Sequence, residues 1–155
     1  MTENKATAFK EWVQVCEALG SGRQIVILRK GGIAEGREGF QFKHSEFFLF
    51  PTVFHAAADQ LKPDWQGEPV EEGAADAERT EVCVDYFAEI AKSRVLTDWE
   101  EVKMLDKYHG WTEETIRARF DYDEAPGVSL AVVRVYRLPE TWVFPFENKH
   151  GGCRS

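Results

Sequence analysis

The sequence predicts an α+β fold: a mostly antiparallel mixed sheet of about five strands, with an N-terminal helix and two to three further helices, in a single domain over residues 1–155. Three observations carry that expectation. Short β-branched or alternating segments recur along the chain, two helix starts carry capping signatures, and neither half of the sequence holds a complete core pattern of its own. A chain of 155 residues, 43% hydrophobic and 30% charged, has the size and composition of one globular domain.

Residues 7–19 read as an amphipathic helix, because Phe9, Trp12, Val13, Cys16 and Leu19 recur at the three-and-four spacing of one apolar stripe; Gly20 and Gly22 stop it. Ile25 to Leu28 is short and β-branched, hence a buried strand with Arg29 and Lys30 emerging at its end. Gly31-Gly32 and the stretch Glu35 to Gly39 are turn chemistry. Phe40, Phe42 and His44 alternate with polar residues, which predicts a second strand in a hairpin with the first. Phe47 to Phe50 is a third strand, ended by Pro51, and Thr52 is a candidate cap for a helix from Val53 to Leu61. Residues 62–79, rich in Pro, Gly and acids, read as a long surface connection.

Val82, Val84 and Tyr86 alternate with Glu81, Cys83 and Asp85, which predicts a strand with one wet face. Thr97 with Glu100 has the form of a capping box opening a helix to Lys107. Thr112 caps a further helix: Trp111 and Ile116 stand at staple positions, Glu113 and Glu114 favour its positive end, and Arg117 and Arg119 its negative end. Val128 to Leu138 is apolar on both faces and therefore central in the sheet, whereas the tail from Pro139 shows little periodicity.

The net charge of −8 opposes a general polyanion-binding surface. The charge is uneven, however: Arg23, Arg29, Lys30, Arg37 and Lys43 face only Glu35 and Glu38, which predicts a local cationic patch on an acidic body. No apolar run approaches the ~18 residues that span a bilayer, and no signal peptide is evident, so no membrane partner is expected. Cys16, Cys83 and Cys153 are odd in number and widely spaced, as for reduced thiols in a cytoplasmic protein.

Function-like residues concentrate in the block from Arg29 to His55. Arg29, Lys30, Gly31 and Gly32 would let backbone N–H groups and two cations converge on an anion; the plainer reading is a hairpin turn with solubilising charges. His44, His55 and His109 stand at element ends and are candidate general acid/base groups, with metal ligation beside Glu46 or Cys153 a weaker alternative and ordinary hydrogen-bonded histidines the commoner outcome. No HxxxH or HExxH spacing occurs, and no metal site or cofactor is assigned. Asp98, Glu101 and Lys103 have a nuclease-like composition but fall on a helix, where a solvated face is the ordinary account. Arg134, in phase with Val132 and Tyr136 on an apolar strand, is expected to be buried. It would then either pair with Glu11 or Glu17 or floor an anion site.

Four segments resemble the bacterial domain of unknown function 1802 family: Phe9-Lys10-Glu11-Trp12, Ile27 to Ile33, Phe50-Pro51-Thr52 with His55, and Arg134-Val135-Tyr136-Arg137-Leu138. His109-Gly110-Trp111-Thr112 and Gly151-Gly152-Cys153-Arg154-Ser155 fit the same pattern, and the resemblance implies a further apolar strand beyond the last of these. The N-terminal third is also similar to the opening of the PUA-like and ASCH RNA-associated domains: a helix, then Gly-Arg-Gln, then an apolar strand ending in Arg. Three functions follow in order. The first is a nucleic-acid-associated or nucleotide/anion-binding module taking short RNA, DNA or a nucleotide. The second is a phosphodiester hydrolase or nuclease using the same His/Arg/Lys block. The third is a protein-interaction scaffold without a ligand site.

Overall fold

The structure, a computed structural model, describes residues 7–30, 45–53, 57–66 and 81–145. Strand β1 (Ala8–Trp12) replaces the first turns of the expected helix, and α1 (Val13–Gly20) carries only its second half. The reason is tertiary. β1 lies parallel to β3 (Glu46–Thr52), Ala8 opposite Phe48 and Trp12 opposite Thr52, and that ladder satisfies backbone groups a lone helix would have paired internally. α1 still buries its stripe of Val15, Cys16, Ala18 and Leu19, and Gly22, at φ 78°, turns the chain away from it.

Strand β2 (Val26–Arg29) is buried from Val26 to Leu28 and pairs antiparallel with β5 (Val128–Pro145), Leu28 opposite Leu130. The expected hairpin strand at 40–44 lies outside the described residues. Thr52 does not cap a helix: it ends β3, buried, and its hydroxyl donates to the Glu11 carbonyl at 3.2 Å. Helix α2 is the short segment Ala57–Gln60, and Pro63–Trp65 is a single 3-10 turn.

Strands β4 (Glu81–Leu96) and β5 are much longer than their alternation predicts, and β5 runs through the tail from Pro139. They pair antiparallel from Glu81 opposite Pro145 to Leu96 opposite Val128, with irregularities between Val84 and Tyr86 and between Ile90 and Lys92. The sheet order is β1-β3-β4-β5-β2, antiparallel except for β1 with β3. This is the α+β, five-stranded mixed sheet that the sequence predicts, with β5 in its interior.

The main core lies between one sheet face and the helices, joining Leu19, Ile27, Leu49, Ala88, Ala131 and Val133 to Val102, Trp111, Ile116 and Phe120. On the other face Phe50, Val82 and Val84 form a smaller cluster flanked by Phe48 and Leu138. Helix α3 (Trp99–Lys103) is capped by Asp98, whose carboxylate accepts from the Glu100 N–H at 3.0 Å; the expected Thr97 box is one residue off, and the helix ends a turn earlier than predicted. Helix α4 (Glu113–Phe120) is capped as its sequence predicts, with Thr112 Oγ1 accepting from the Thr115 N–H at 3.2 Å. Trp111 is fully buried beside Ile116, a packing whose truncation to Ala costs about 3–5 kcal/mol at such a site. Among the described residues no helix is long and apolar enough to cross a membrane.

Candidate functional site

The strand end at Arg29 and Lys30 resolves into two different roles. Lys30 turns back under α4 and the start of β5. Its ammonium donates to the carbonyls of Phe120 (3.2 Å), Ala125 (2.6 Å) and Gly127 (2.8 Å) and pairs with Asp123 at 3.2 Å. An ammonium has three protons, so these carbonyls use its donor capacity. Lys30 is therefore a clamp on the connection between α4 and β5.

Arg29 points the other way, toward β1. Its Nη1 lies 3.7 Å from Glu11 Oε2 and donates to the Lys10 carbonyl at 3.5 Å, and the guanidinium covers the Phe9 ring at 4.7 Å. Glu11 is 2% exposed; its Oε1 accepts from the Trp12 N–H at 3.0 Å, and among the described residues Oε2 has no hydrogen-bond partner. Arg119 of α4 enters the same cluster. It donates to the Leu28 carbonyl at 2.8 Å and covers the Trp111 ring at 4.6 Å and the Trp12 ring at 5.7 Å. Burial pushes its guanidinium down to about 10, with Glu11 opposing the shift and Arg29 adding to it, so Arg119 stays charged at neutral pH. Arg29 thus pairs with a buried carboxylate against Phe9, and Arg119, against Trp12 and Trp111, feels the charges of both.

Sequence reading credited Arg119 only with the helix dipole. A signal was present, because Arg119 lies three residues after buried Ile116 and beside buried Phe120, on the core face of a capped helix.

His109 borders this cluster from behind. Its ring lies 5.5 Å from that of Trp111, it is 2% exposed, and among the described residues neither its Nδ1 nor the Trp111 Nε1 has a hydrogen-bond partner. Burial first, then the positive charges of Lys62 and Arg119 against the opposing Asp106, push the imidazole down to about 4. It is neutral at pH 7 and shielded from solvent, which removes the access a general base needs. Lys62 anchors the segment as Lys30 anchors its own, donating to the carbonyls of Asp106 (2.6 Å) and His109 (2.9 Å).

The structure therefore brings Arg29 and His109 to one cluster through Arg119 and Trp111, and it leaves Arg134 out. Arg134 is exposed, opposite Glu89 on the face of β5 that also bears the exposed Tyr136. The expected burial fails because Val132, Arg134 and Tyr136 share a face that turns to solvent beyond the β2 pairing, while Ala131 and Val133 take the core side. Of the carboxylates expected to pair with it, Glu11 instead pairs with Arg29. Gly31, Gly32, His44 and His55 lie outside the described residues. Among the described residues no three His, Cys, Asp or Glu side chains are grouped to hold a metal ion.

Two solved structures share the architecture. A point mutant of the ASCH protein from Zymomonas mobilis superposes with a TM-score of 0.53 at 9% identity, covering 97% of this chain and 94% of that one. A second structure, of ASCH from Zymomonas mobilis, gives 0.50 at 10% identity, with 92% and 88% covered. At that identity the likeness is one of fold. No curated protein sequence matches the chain. The model of the domain of unknown function DUF1802 matches residues 8–155, and the chain belongs to that family.

Proposed function

We propose that this DUF1802 domain binds the phosphate of a nucleotide or of a short single-stranded nucleic acid at the Arg29–Arg119 pair. One observation carries the reading: the Arg29 guanidinium, paired with Glu11, and the Arg119 guanidinium, bound to the Leu28 carbonyl, lie against aromatic faces and within electrostatic reach of each other. Guanidinium charge in surroundings drier than bulk water attracts an anion more strongly than a surface lysine would. Planar, weakly hydrated guanidiniums also match phosphate oxygens in pairs. Arg29 keeps 11% of its side chain open to solvent, which leaves an edge for contact. The ASCH-like fold supports the same class of ligand, since ASCH domains are RNA-associated.

The burial and weak basicity of His109 favour this binding reading over the hydrolase alternative. The test is binding of a fluorescent single-stranded RNA, of its DNA counterpart and of a nucleoside triphosphate, each across a salt series. Binding should weaken as salt rises and fall about tenfold or more in Arg29→Met and in Arg119→Met, with Arg29→Lys intermediate. Lys30→Met should bind like the parent at temperatures where it is folded. Absence of binding at low salt by a folded protein would refute the proposal and favour a scaffold role.

A further inference from the structure

The segment from α2 through the Pro63–Trp65 turn lies outside the sheet, and its attachments converge on residues 106–112. The Lys62 N–H donates to the Gly110 carbonyl at 2.8 Å and the Thr112 N–H to the Gln60 carbonyl at 3.0 Å, while Leu61 forms a single antiparallel bridge with Trp111. The Lys62 ammonium holds the carbonyls of Asp106 and His109, and the Trp65 ring lies so close to Gly110 that a side chain there would overlap it. Among the described side chains of residues 59–66 only Leu61 is buried. A segment held by one bridge and one buried side chain opens more readily than a five-stranded sheet.

His109 stands at the centre of these attachments with its ring buried and, among the described residues, its Nδ1 unpartnered. Every element packed around it contributes a charge. Lys62 faces it from the strap, Asp106 from the 3-10 turn Asp106–Tyr108 and Arg119 from α4, while Lys103 of α3 and Glu113 of α4 line a cavity of about 30 Å³ with it. Asp106 is paired with Lys62 at 3.2 Å, Lys103 with Glu100 at 3.0 Å, and Glu113 is exposed. A proton on the imidazole would therefore add a buried positive charge beside Lys62 and Arg119, with no acceptor for its Nδ1–H among the described residues. The backbone of the same residues is fastened from the far side, where the Gly110 N–H donates to Gln24 Oε1 at 3.3 Å and the Tyr108 carbonyl accepts from the Ile25 N–H at 3.4 Å. The strap is thus the side free to part.

We propose that residues 57–66 are a pH-released strap: protonation of His109 detaches the segment from residues 109–112 while the sheet keeps its fold. Release lets water reach Nδ1 and moves the Lys62 ammonium away from the new charge. The closed form holds the imidazole at about 4 and a solvated one titrates near 6.5, so closure is complete above pH 6.5 and is lost as pH falls toward 4. The effect extends to Arg119, because Trp111, bridged to Leu61, is the ring that its guanidinium covers at 4.6 Å. The release itself requires no ligand at Arg119.

The experiment is amide hydrogen exchange of the full chain, followed by NMR across the range between pH 6.5 and 4, with and without dilute urea, and with intrinsic exchange rates divided out. The Lys62 and Thr112 amides should exchange through an opening that urea scarcely promotes, and their protection should fall about tenfold per pH unit in that range. The Ala88 and Val133 amides, in the sheet, should exchange only through global unfolding, with a steep urea dependence. His109→Phe should abolish the pH slope of the strap amides, and His109→Gln takes its place if the Phe variant does not fold. Gly110→Ala, whose methyl meets the Trp65 ring, should lower strap protection severalfold even at neutral pH, still with a weak urea dependence. Strap amides with the urea dependence of the sheet, a pH slope that persists in the folded His109 variant, or unchanged strap protection in Gly110→Ala would each overturn the proposal.

Discussion

Replacing Lys30 by Met keeps the aliphatic stem and deletes the ammonium, so it isolates the clamp from the packing. The structure sets the magnitude. The Phe120 carbonyl keeps a second donor, the Gly127 N–H at 3.0 Å, and the Ala125 carbonyl is exposed enough for water to replace the lost bond. The Gly127 carbonyl is part-buried, and leaving such a group unsatisfied costs roughly 1–3 kcal/mol. Adding the charge-assisted share of the bond to Phe120, Lys30→Met should lose about 2–3 kcal/mol of stability. For a domain of this size that is a fall in Tm of roughly 5–10 °C. Urea unfolding followed by tryptophan fluorescence measures the loss. Carboxyl NMR titration supplies a second reading, because the Lys30 hydrogen bond, followed by the Ala125 N–H, holds the Asp123 carboxyl below the usual carboxylate range. In the variant that carboxyl should titrate higher. A loss under ~0.5 kcal/mol, the range of ordinary surface substitutions, with Asp123 unmoved, would refute the clamp.

His109 makes stability depend on pH. Its folded-state value of about 4 lies below the unfolded 6.5, so the unfolded chain binds the proton first; the stabilisation is complete above pH 6.5 and is lost as pH falls toward 4. Two and a half units correspond to about 3 kcal/mol, read as the difference between parent and His109→Phe in urea midpoints from pH 7 to 4; parallel curves would contradict it. At Gly20 an added methyl would overlap the buried Tyr86 ring. Gly20→Ala should therefore destabilise by about 1–3 kcal/mol despite its better helix propensity, and an unchanged urea midpoint would show that the ring has room to move.

Much of the fold was legible because local signals agreed with the tertiary arrangement. Val26 to Leu28 is buried, as a short β-branched run should be, and Thr112, Trp111 and Ile116 cap and staple α4 as their spacing requires. The misreadings share one cause. Ala8–Trp12 carries helical spacing yet becomes a strand because β3 offers it a ladder, and residues 139–145 lack alternation yet extend β5 because β4 runs alongside. Pairing with a partner strand is a long-range event, invisible in any short window of sequence.

The site divides in the same way. Composition and charge by themselves determined that one segment of an acidic chain carries cations, and that Arg29 and Lys30 close its first buried strand. Tertiary structure decided what each cation does. Consecutive residues on a strand point to opposite faces, so Lys30 meets the carbonyls after α4 while Arg29 meets Glu11 on β1. The partner that makes Arg29 part of a cluster, Arg119, lies ninety positions away and arrives only because α4 packs its core face over β2. Charge can be counted along a chain, but whether a charge is neutralised depends on which distant carbonyls and carboxylates the fold places around it.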